Sequence, residues 1–168
     1  MRIAFFGGTF DPFHNAHLAM CRLARDRFAL DRVLLVPANL PPHKQDQVTE
    51  SWQHRFEMVR IGCQAVPGLE PSDLEQEPRT SYSILTIERL KSVFGPDCRL
   101  FFLIGADAFA EIQTWHRWAD VIKAVEFIVV TRPGHEYGTP SGARVWPLEG
   151  LDMQVSSSDI RDKLAACE

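Results

Sequence analysis

The sequence predicts an α/β fold built on a doubly wound parallel sheet with helices on both faces. Short, continuous apolar runs alternate with segments of helical period along the chain, a pattern typical of parallel strands joined by helical crossovers. The 168 residues are 45% hydrophobic, which is enough for one continuous core. With no repeat or linker visible, we predict a single Rossmann-like domain over residues 1–168.

The strands follow from short apolar runs bounded by glycine, proline or polar residues. Parallel strands that are covered on both faces have no polar side, so they form continuous apolar runs rather than alternating patterns. The segment 69–75 contains proline and acidic residues, which favours an edge strand. In chain order, the predicted strands are 2–6, 32–36, 69–75, 99–104, 125–130 and 144–147.

The helices follow from apolar residues spaced three and four apart. After Ser51, a residue suited to a helix N-cap, a stripe of this kind is formed by Trp52, Phe56, Val59 and Cys63, and we expect the stripe to lie in the core. The predicted helices are 15–28, 51–66, 81–94, 117–124 and 156–166, and the predicted loops are 39–49 and 133–142.

Charge, hydropathy and cysteine spacing exclude several functions. The chain has 18 Lys and Arg against 22 Asp and Glu, a net charge of −4, so we expect no broad surface for nucleic acid or membrane lipid. Its apolar runs are far shorter than the roughly 20 residues that span a bilayer, and no signal peptide is evident. We therefore expect a cytoplasmic protein. The four cysteines form no C-x-x-C pair, so we expect reduced thiols that lie mostly in the core.

The edge formed by the carboxyl ends of the strands is the expected ligand site of such a sheet. Four segments should meet there: 7–17, 37–44, 105–107 and 131–132. In the first, two glycines allow close approach of a phosphate, and the helix that follows adds its positive N-terminal end. His14 and His17, three residues apart, share one face of that helix. Either feature alone is more often a turn or a cap, but together they favour a phosphate site.

A second phosphate-binding segment opens the last predicted helix. Ser156, Ser157 and Ser158 offer hydroxyls and free N–H groups at a helix start, and Arg161 offers a charged fork one turn later. Simple capping by the serines and a solvated arginine remain alternatives for these residues.

Both segments resemble known signatures. The stretch GGTFDPFHNAHL resembles the T/H-x-x-H signature of the nucleotidyltransferase superfamily, and SSSDIR resembles its second signature, usually S-S-T-x-I-R. Five further segments, in the same order along the chain, are similar to the bacterial nicotinate-nucleotide adenylyltransferase family: 41–44, 81–83, 105–107, 114–118 and 132–134. The departures are Ala16 for the usual glycine and serine for threonine at Ser83 and Ser158.

The resemblance implies a reaction between ATP and nicotinate mononucleotide that gives nicotinate adenine dinucleotide and pyrophosphate in NAD biosynthesis. The attacking phosphate is already anionic at pH 7, so direct in-line displacement needs no protein base. Positioning and electrostatic stabilisation are then the tasks of the protein. Mg²⁺ is implied as a cofactor carried mainly by the ATP phosphates, with no protein residue assigned as a metal ligand.

The resemblance also implies roles for individual residues. Asp107 is implied to contact ribose hydroxyls, with helix capping as the alternative, and Trp115 to stack on the pyridine ring, with a place in the core as the alternative. The implied catalytic residues are His14, His17 and Arg161. The implied ATP- and phosphate-binding residues are Gly7, Gly8, Thr9, Phe10, Lys44, Gly105, Asp107, Arg132, Ser156, Ser157 and Ser158. The implied nicotinate mononucleotide-binding residues are Tyr82, Ser83, Trp115 and His116.

Three alternatives stay open at this point. An adenylyltransferase of the same superfamily could use another acceptor, nicotinamide mononucleotide or phosphopantetheine, although enzymes of the second kind usually have Thr in place of His14. A non-catalytic nucleotide-binding module on the same fold is the second alternative. A nicotinamide-dependent oxidoreductase is the third, and it lacks support because the chain has no G-x-G-x-x-G. A homo-oligomer is compatible with all of them.

Overall fold

The structure, a computed structural model, describes residues 1–42, 48–131, 136–150 and 153–167. Its strands form one six-stranded sheet in which every pairing is parallel. The strands are β1 (Arg2–Gly8), β2 (Arg32–Pro37), β3 (Leu69–Pro71), β4 (Arg99–Gly105), β5 (Glu126–Val130) and β6 (Arg144–Leu148). The helices are α1 (Asn15–Arg27), α2 (Trp52–Cys63), α3 (Ser83–Phe94), α4 (Ala106–Ala110), α5 (Trp118–Ala124) and α6 (Ser157–Ala165).

The strand order is β3-β2-β1-β4-β5-β6, so the chain builds outward from β1 in one direction and then returns to build outward in the other. At the point of return, Phe5 of β1 lies between Leu34 of β2 and Phe102 of β4. The loops that leave the carboxyl ends of β1 and β4 therefore diverge to opposite faces. This divergence leaves a crevice at that edge, which is where ligands of doubly wound sheets bind.

Two apolar clusters, one on each face, confirm the doubly wound arrangement. Successive residues of β1 alternate between them: Ile3 and Phe5 pack with the cluster of α3 and α5, whereas Ala4 and Phe6 pack with that of α1 and α2. This alternation is the two-residue period of a strand, and all four side chains are apolar because both faces are covered.

The predicted strands and helices are confirmed with small shifts at their ends. The segment predicted as an edge strand over 69–75 is a strand only over Leu69–Pro71, although it does lie at the sheet edge. The prediction also missed α4 and a 3-10 turn at Ile112–Thr114, because such short helices leave too few residues for a period to show. No helix among the described residues combines the length and apolarity needed to cross a bilayer.

Two of the four cysteines fill the core as predicted. Cys21 and Cys63 are buried, Cys98 is partly buried and Cys167 is exposed, and all four are free thiols. Burial raises the pKa of the Cys63 thiol to about 11, so this thiol stays protonated and unreactive at neutral pH.

Candidate active site

A cleft of about 400 Å³ opens at the carboxyl ends of β1 and β4, where the strand order reverses. The predicted site residues that line it are Gly7, Gly8, Thr9, Phe10, His17, Ser83, Gly105, Trp115, Ser157, Ser158 and Arg161. His14, Tyr82, Asp107, His116 and Ser156 lie outside its lining. Lys44 and Arg132 fall outside the described residues.

A larger cavity, of about 650 Å³, lies at the opposite edge of the sheet. It is lined from the amino ends of β4, β5 and β6, where the Glu126 carboxylate accepts hydrogen bonds from both Arg99 and Trp146. Ligands of doubly wound sheets bind at the carboxyl ends, so the smaller cleft is the candidate site.

The two histidines form a fixed pair at the start of α1. The Nδ1 atom of His17 accepts a hydrogen bond from the backbone N–H of His14 at 3.3 Å. In its neutral form, His17 must then carry its proton on Nε2, which leaves that atom as a donor. The imidazole of His17 is stacked between the ring of His14, with centroids 3.6 Å apart, and the ring of Phe13 at 5.5 Å. This packing fixes the direction of the ring.

His14 has an electrostatic environment that disfavours its charged form. Partial burial lowers the pKa of this imidazole below its ordinary value. The Nδ1 atom of His14 is buried and has no hydrogen-bond partner among the described residues. The His14 side chain faces the backbone N–H of His17 in a capping box at the start of α1.

The two glycines of the β1 loop do different things. A Cβ atom built on Gly7 would meet no atom within 4 Å, so the absent side chain leaves open space at the cleft. A Cβ on Gly8 would lie 2.8 Å from a ring carbon of Phe10. Phe10 is buried and has a φ of 53°, in the left-handed region. Gly8 therefore permits the tight turn that buries Phe10, whereas Gly7 permits a ligand to approach the backbone.

The start of α6 is held against the β1 loop by polar contacts. Arg161 Nη1 donates to the carbonyl oxygen of Asp11 at 2.6 Å, and the Ser157 hydroxyl donates to that of Pro12 at 2.8 Å. No residue of α6 is buried, so such contacts, rather than apolar packing, define its place. Ser156 caps the helix by accepting from the backbone of Asp159 at 3.1 Å. The two predicted signatures, 150 residues apart in the chain, thus form one end of the cleft.

The other end of the cleft is apolar on one side and polar on the other. The half-buried ring of Trp115 packs on Phe102, with centroids 5.9 Å apart, and lines the cleft. The polar side is formed by Ser83, the first residue of α3. The first N–H groups of a helix have no partner within the helix, so the backbone at this position is polar. The rings of Tyr82 and His116 contact each other at a tilt of 34°, with centroids 4.4 Å apart, and lie beside the cleft instead of lining it.

Two further residues of the site were missed by the sequence analysis. Arg55 on α2 is 1% exposed and donates to the carbonyl of Thr9 in the β1 loop at 2.7 Å. It occupies the core stripe of α2 at the place predicted for Phe56, which is only half-buried. The spacing of the buried positions 52, 55, 59 and 63 was available in the sequence, but a charged residue is not expected in a core.

Glu75 is the second missed residue, and it lines the cleft near Ser81 and Ser83. One carboxyl oxygen accepts from the Thr86 hydroxyl, whereas Oε2 is buried without a partner among the described residues. Burial raises the pKa of this carboxyl, and its hydrogen bonds offset only part of that rise. No sequence signal pointed to Glu75, because it lies in the segment predicted as an edge strand.

Comparison with known proteins defines the class of the chain and then its family. Residues 5–163 match the family model described as cytidylyltransferase-like. A relative from Solibacter usitatus is 50% identical over 99% of this chain and 88% of its own length. Another, from Exiguobacterium sibiricum, is 43% identical over 98% of this chain and 87% of its own length. Both are named "Probable nicotinate-nucleotide adenylyltransferase". The chain belongs to the nicotinate-nucleotide adenylyltransferase family.

A solved structure has the same fold. The Plasmodium falciparum nicotinic acid mononucleotide adenylyltransferase complexed with NaAD aligns with a TM-score of 0.76 at 18% identity, over 96% of this chain and 82% of that one. A second structure of that protein, complexed with APC, gives a TM-score of 0.77 at 17% identity. At these identities the likeness concerns the fold alone.

The two glycines give a matched pair of variants. We expect Gly8→Ala to lower the free energy of unfolding by about 1–3 kcal/mol, because its methyl group would force the buried Phe10 ring to move. Gly7→Ala should leave stability nearly unchanged and instead weaken nucleotide binding. Chemical denaturation and titration with ATP measure the two effects, and equal destabilisation by both variants would contradict the distinction.

The raised pKa of Glu75 gives a pH-dependent prediction. A carboxyl whose pKa is higher in the folded than in the unfolded state destabilises the fold as pH rises through that interval. The Tm of Glu75→Gln relative to the wild type should therefore increase between pH 4 and 8. Glu57→Gln is the control, because Arg60 lowers the pKa of that exposed carboxyl. A Tm difference for Glu75→Gln that stays flat or falls would be inconsistent with this environment.

Proposed function

We propose that the cleft catalyses transfer of the adenylyl group of ATP to nicotinate mononucleotide, giving nicotinate adenine dinucleotide and pyrophosphate in NAD biosynthesis. The observation that carries the proposal is the junction of two unlike ends in one cleft: phosphate donors from His17 and Arg161, and an aromatic wall from Trp115. Family membership supports the same reaction.

The phosphate end supplies charge and direction instead of a base. A phosphate oxygen of the mononucleotide forms a bond to the α-phosphorus of ATP, and the bond from that phosphorus to the bridging oxygen of the β-phosphate breaks. Pyrophosphate leaves with the electron pair, and no proton has to be transferred. His17 donates from Nε2, and His14, whose ring is stacked on His17 at 3.6 Å, is proposed to contact a phosphate oxygen beside it. Arg161 adds a positive charge at the same end.

Arg161 also has a second task at the phosphate end. Its guanidinium holds the carbonyl of Asp11 at 2.6 Å and the Ser158 hydroxyl at 3.2 Å. A guanidinium has five N–H donors, so these two contacts leave it able to bind a phosphate oxygen. We propose that the backbone at Gly7, Gly8, Thr9 and Phe10, together with Ser156, Ser157 and Ser158, surrounds the phosphates at the starts of α1 and α6.

The acceptor end recognises the ring and its carboxylate. In this proposal the pyridine ring stacks on Trp115, and backbone N–H groups at Ser83 and His116 bind the carboxylate. His116 lies beside the cleft, and its ring contact with Tyr82 at 4.4 Å connects the Trp115 segment to the start of α3. Backbone donors select a carboxylate over a carboxamide because they offer no acceptor to an amide N–H₂.

Mg²⁺ is proposed to reach the cleft on the ATP phosphates. No group of three or more His, Cys, Asp or Glu side chains suited to a metal occurs within the described ranges. The carboxylate beside the β1 loop, Asp11, already accepts from the backbone N–H of Thr49 at 2.7 Å and from its hydroxyl at 3.0 Å. An ion held mainly by phosphate oxygens and water needs few protein ligands. When bound, Mg²⁺ neutralises charge on the leaving pyrophosphate.

Other expectations stay predictions. A contact of Asp107 with ribose hydroxyls is compatible with its place in the first turn of α4, and the predicted phosphate contacts of Lys44 and Arg132 concern residues outside the described part. The single-domain organisation over 1–168, the cytoplasmic location and a homo-oligomeric state are likewise untested predictions.

Acceptor selectivity tests the proposed function directly. We expect pyrophosphate release from ATP and Mg²⁺ with nicotinate mononucleotide, at a kcat/KM roughly 10- to 150-fold above that with nicotinamide mononucleotide. Two charge-assisted hydrogen bonds of about 1.5–3 kcal/mol in total give that range. A preference for the amide, or for phosphopantetheine, would transfer the protein to another acceptor class. Nucleotide binding without any pyrophosphate release would favour a non-catalytic module.

Removal of the His17 imidazole tests the phosphate end. His17→Ala should lower kcat by roughly 10²-fold or more, because a donor to developing phosphate charge supplies a few kcal/mol of transition-state stabilisation. His54→Ala is the matched control, since that exposed imidazole on α2 contacts Glu50 away from the cleft. Near wild-type kcat in folded His17→Ala would remove His17 from the proposed mechanism.

A further inference from the structure

Arg55 is a buried guanidinium whose hydrogen bonds go to four main-chain oxygens. Nη1 donates to the carbonyls of Thr9 and Ala38, both at 2.7 Å, Nη2 to that of Asn39 at 3.3 Å, and Nε to that of Glu50 at 3.2 Å. The residue is 1% exposed. A planar fork with fixed donor directions can hold four carbonyls only if the backbone segments that bear them keep one relative position.

The carbonyls held by Arg55 belong to the two loops on one side of the cleft. Thr9 follows β1 and Ala38 follows β2, and both residues line the cleft. The loops also contact each other directly, because the Ala38 N–H donates to the Gly8 carbonyl at 2.9 Å. Arg55 therefore braces, from inside the protein, the backbone that faces the ligand.

The same contacts continue toward the acceptor end. The backbone N–H of Asn39 donates to the Ser81 hydroxyl at 3.0 Å, and the Ser81 N–H donates to the Leu40 carbonyl at 3.0 Å. Ser81 lines the cleft together with Glu75 and precedes α3 by two residues. A continuous series of hydrogen bonds thus runs from the β1 loop, through Arg55, to the segment just before α3.

Burial of an arginine at this position has a cost in desolvation. Burial lowers the pKa of the guanidinium, and the buried Asp11 nearby only partly offsets that effect. Replacing Arg55 by an apolar residue would remove that cost but would leave four main-chain carbonyls without their donor. An arginine here instead fixes backbone geometry that an apolar side chain would leave unbraced.

We propose that Arg55 is a positioning residue for adenylyl transfer. It sets the spacing between the β1 loop and the segment that leads to α3. This inference rests on the proposed function, because that spacing would determine how the acceptor phosphate meets the α-phosphorus. A displacement of about 1 Å from the productive geometry lowers rates by up to about 10²-fold. Arg55 acts through the backbone and is separated from substrate by it.

The test uses Arg55→Met and Arg55→Lys, with Arg60→Met as the matched control. Arg60 lies on the same helix but is exposed and paired with Glu57. We expect Arg55→Met to lower kcat by about 10-fold or more in protein that is fully folded by circular dichroism, with a smaller change in the KM for ATP. Arg55→Lys should regain stability but remain at least about threefold below wild-type kcat, because an ammonium lacks the fork. Arg60→Met should stay within about twofold.

Amide hydrogen exchange supplies a readout that does not depend on activity. Segments 7–12 and 37–42 should exchange faster in Arg55→Met than in wild type, and Arg60→Met should leave them unchanged. If Arg55→Met fails to fold, Arg55→Lys decides: a kcat within twofold of wild type, with unchanged exchange, overturns the proposal. A lower Tm with wild-type kcat in the folded protein overturns it as well. Absence of pyrophosphate release by the wild type would instead contradict the proposed function.

Discussion

The reversal of strand order between β1 and β4 is the constraint on which the site depends. Because the chain leaves β1 for one side of the sheet and leaves β4 for the other, no helix within the described ranges covers the gap between their carboxyl ends. The pairing of β1 with β4 ends at Phe5 and Phe102, whose rings stack at 4.2 Å, and the gap lies beyond this pair. What borders this gap can differ between proteins, but its position follows from the topology.

The borders of the gap are loops, and buried or half-buried polar groups hold them in place. Arg161 joins α6 to the β1 loop, and Arg55 joins the β1 loop to the β2 loop. The chain has a net charge of −4, so attraction of two anionic substrates has to come from local groups. Among the described residues, we propose that the guanidinium of Arg161, the imidazole of His17 and the starts of α1 and α6 supply it. A reaction whose nucleophile is already ionised needs orientation and charge stabilisation from such groups.

The sequence contained most of the fold but less of the site. Strands such as β4 were predictable because burial on both faces makes them continuously apolar. The place of Gly7, Gly8 and His17 at the cleft was predictable because they follow the carboxyl end of β1. Arg55 and Glu75 were not, since their roles depend on partners 46 and 11 residues away. Tyr82 and His116 fall beside the cleft because the turns around α3 and α5, rather than residue type, decide where those rings lie.

The most direct measurement of how the cleft works is the stereochemical course at the α-phosphorus. ATP made chiral at that atom with sulfur would be converted, with nicotinate mononucleotide, into a dinucleotide whose configuration can be determined. Direct attack by the bound acceptor on ATP predicts inversion, because one in-line displacement occurs. Retention would contradict it, because two displacements through an adenylylated side chain would then be required, and the cleft would have to contain a nucleophile.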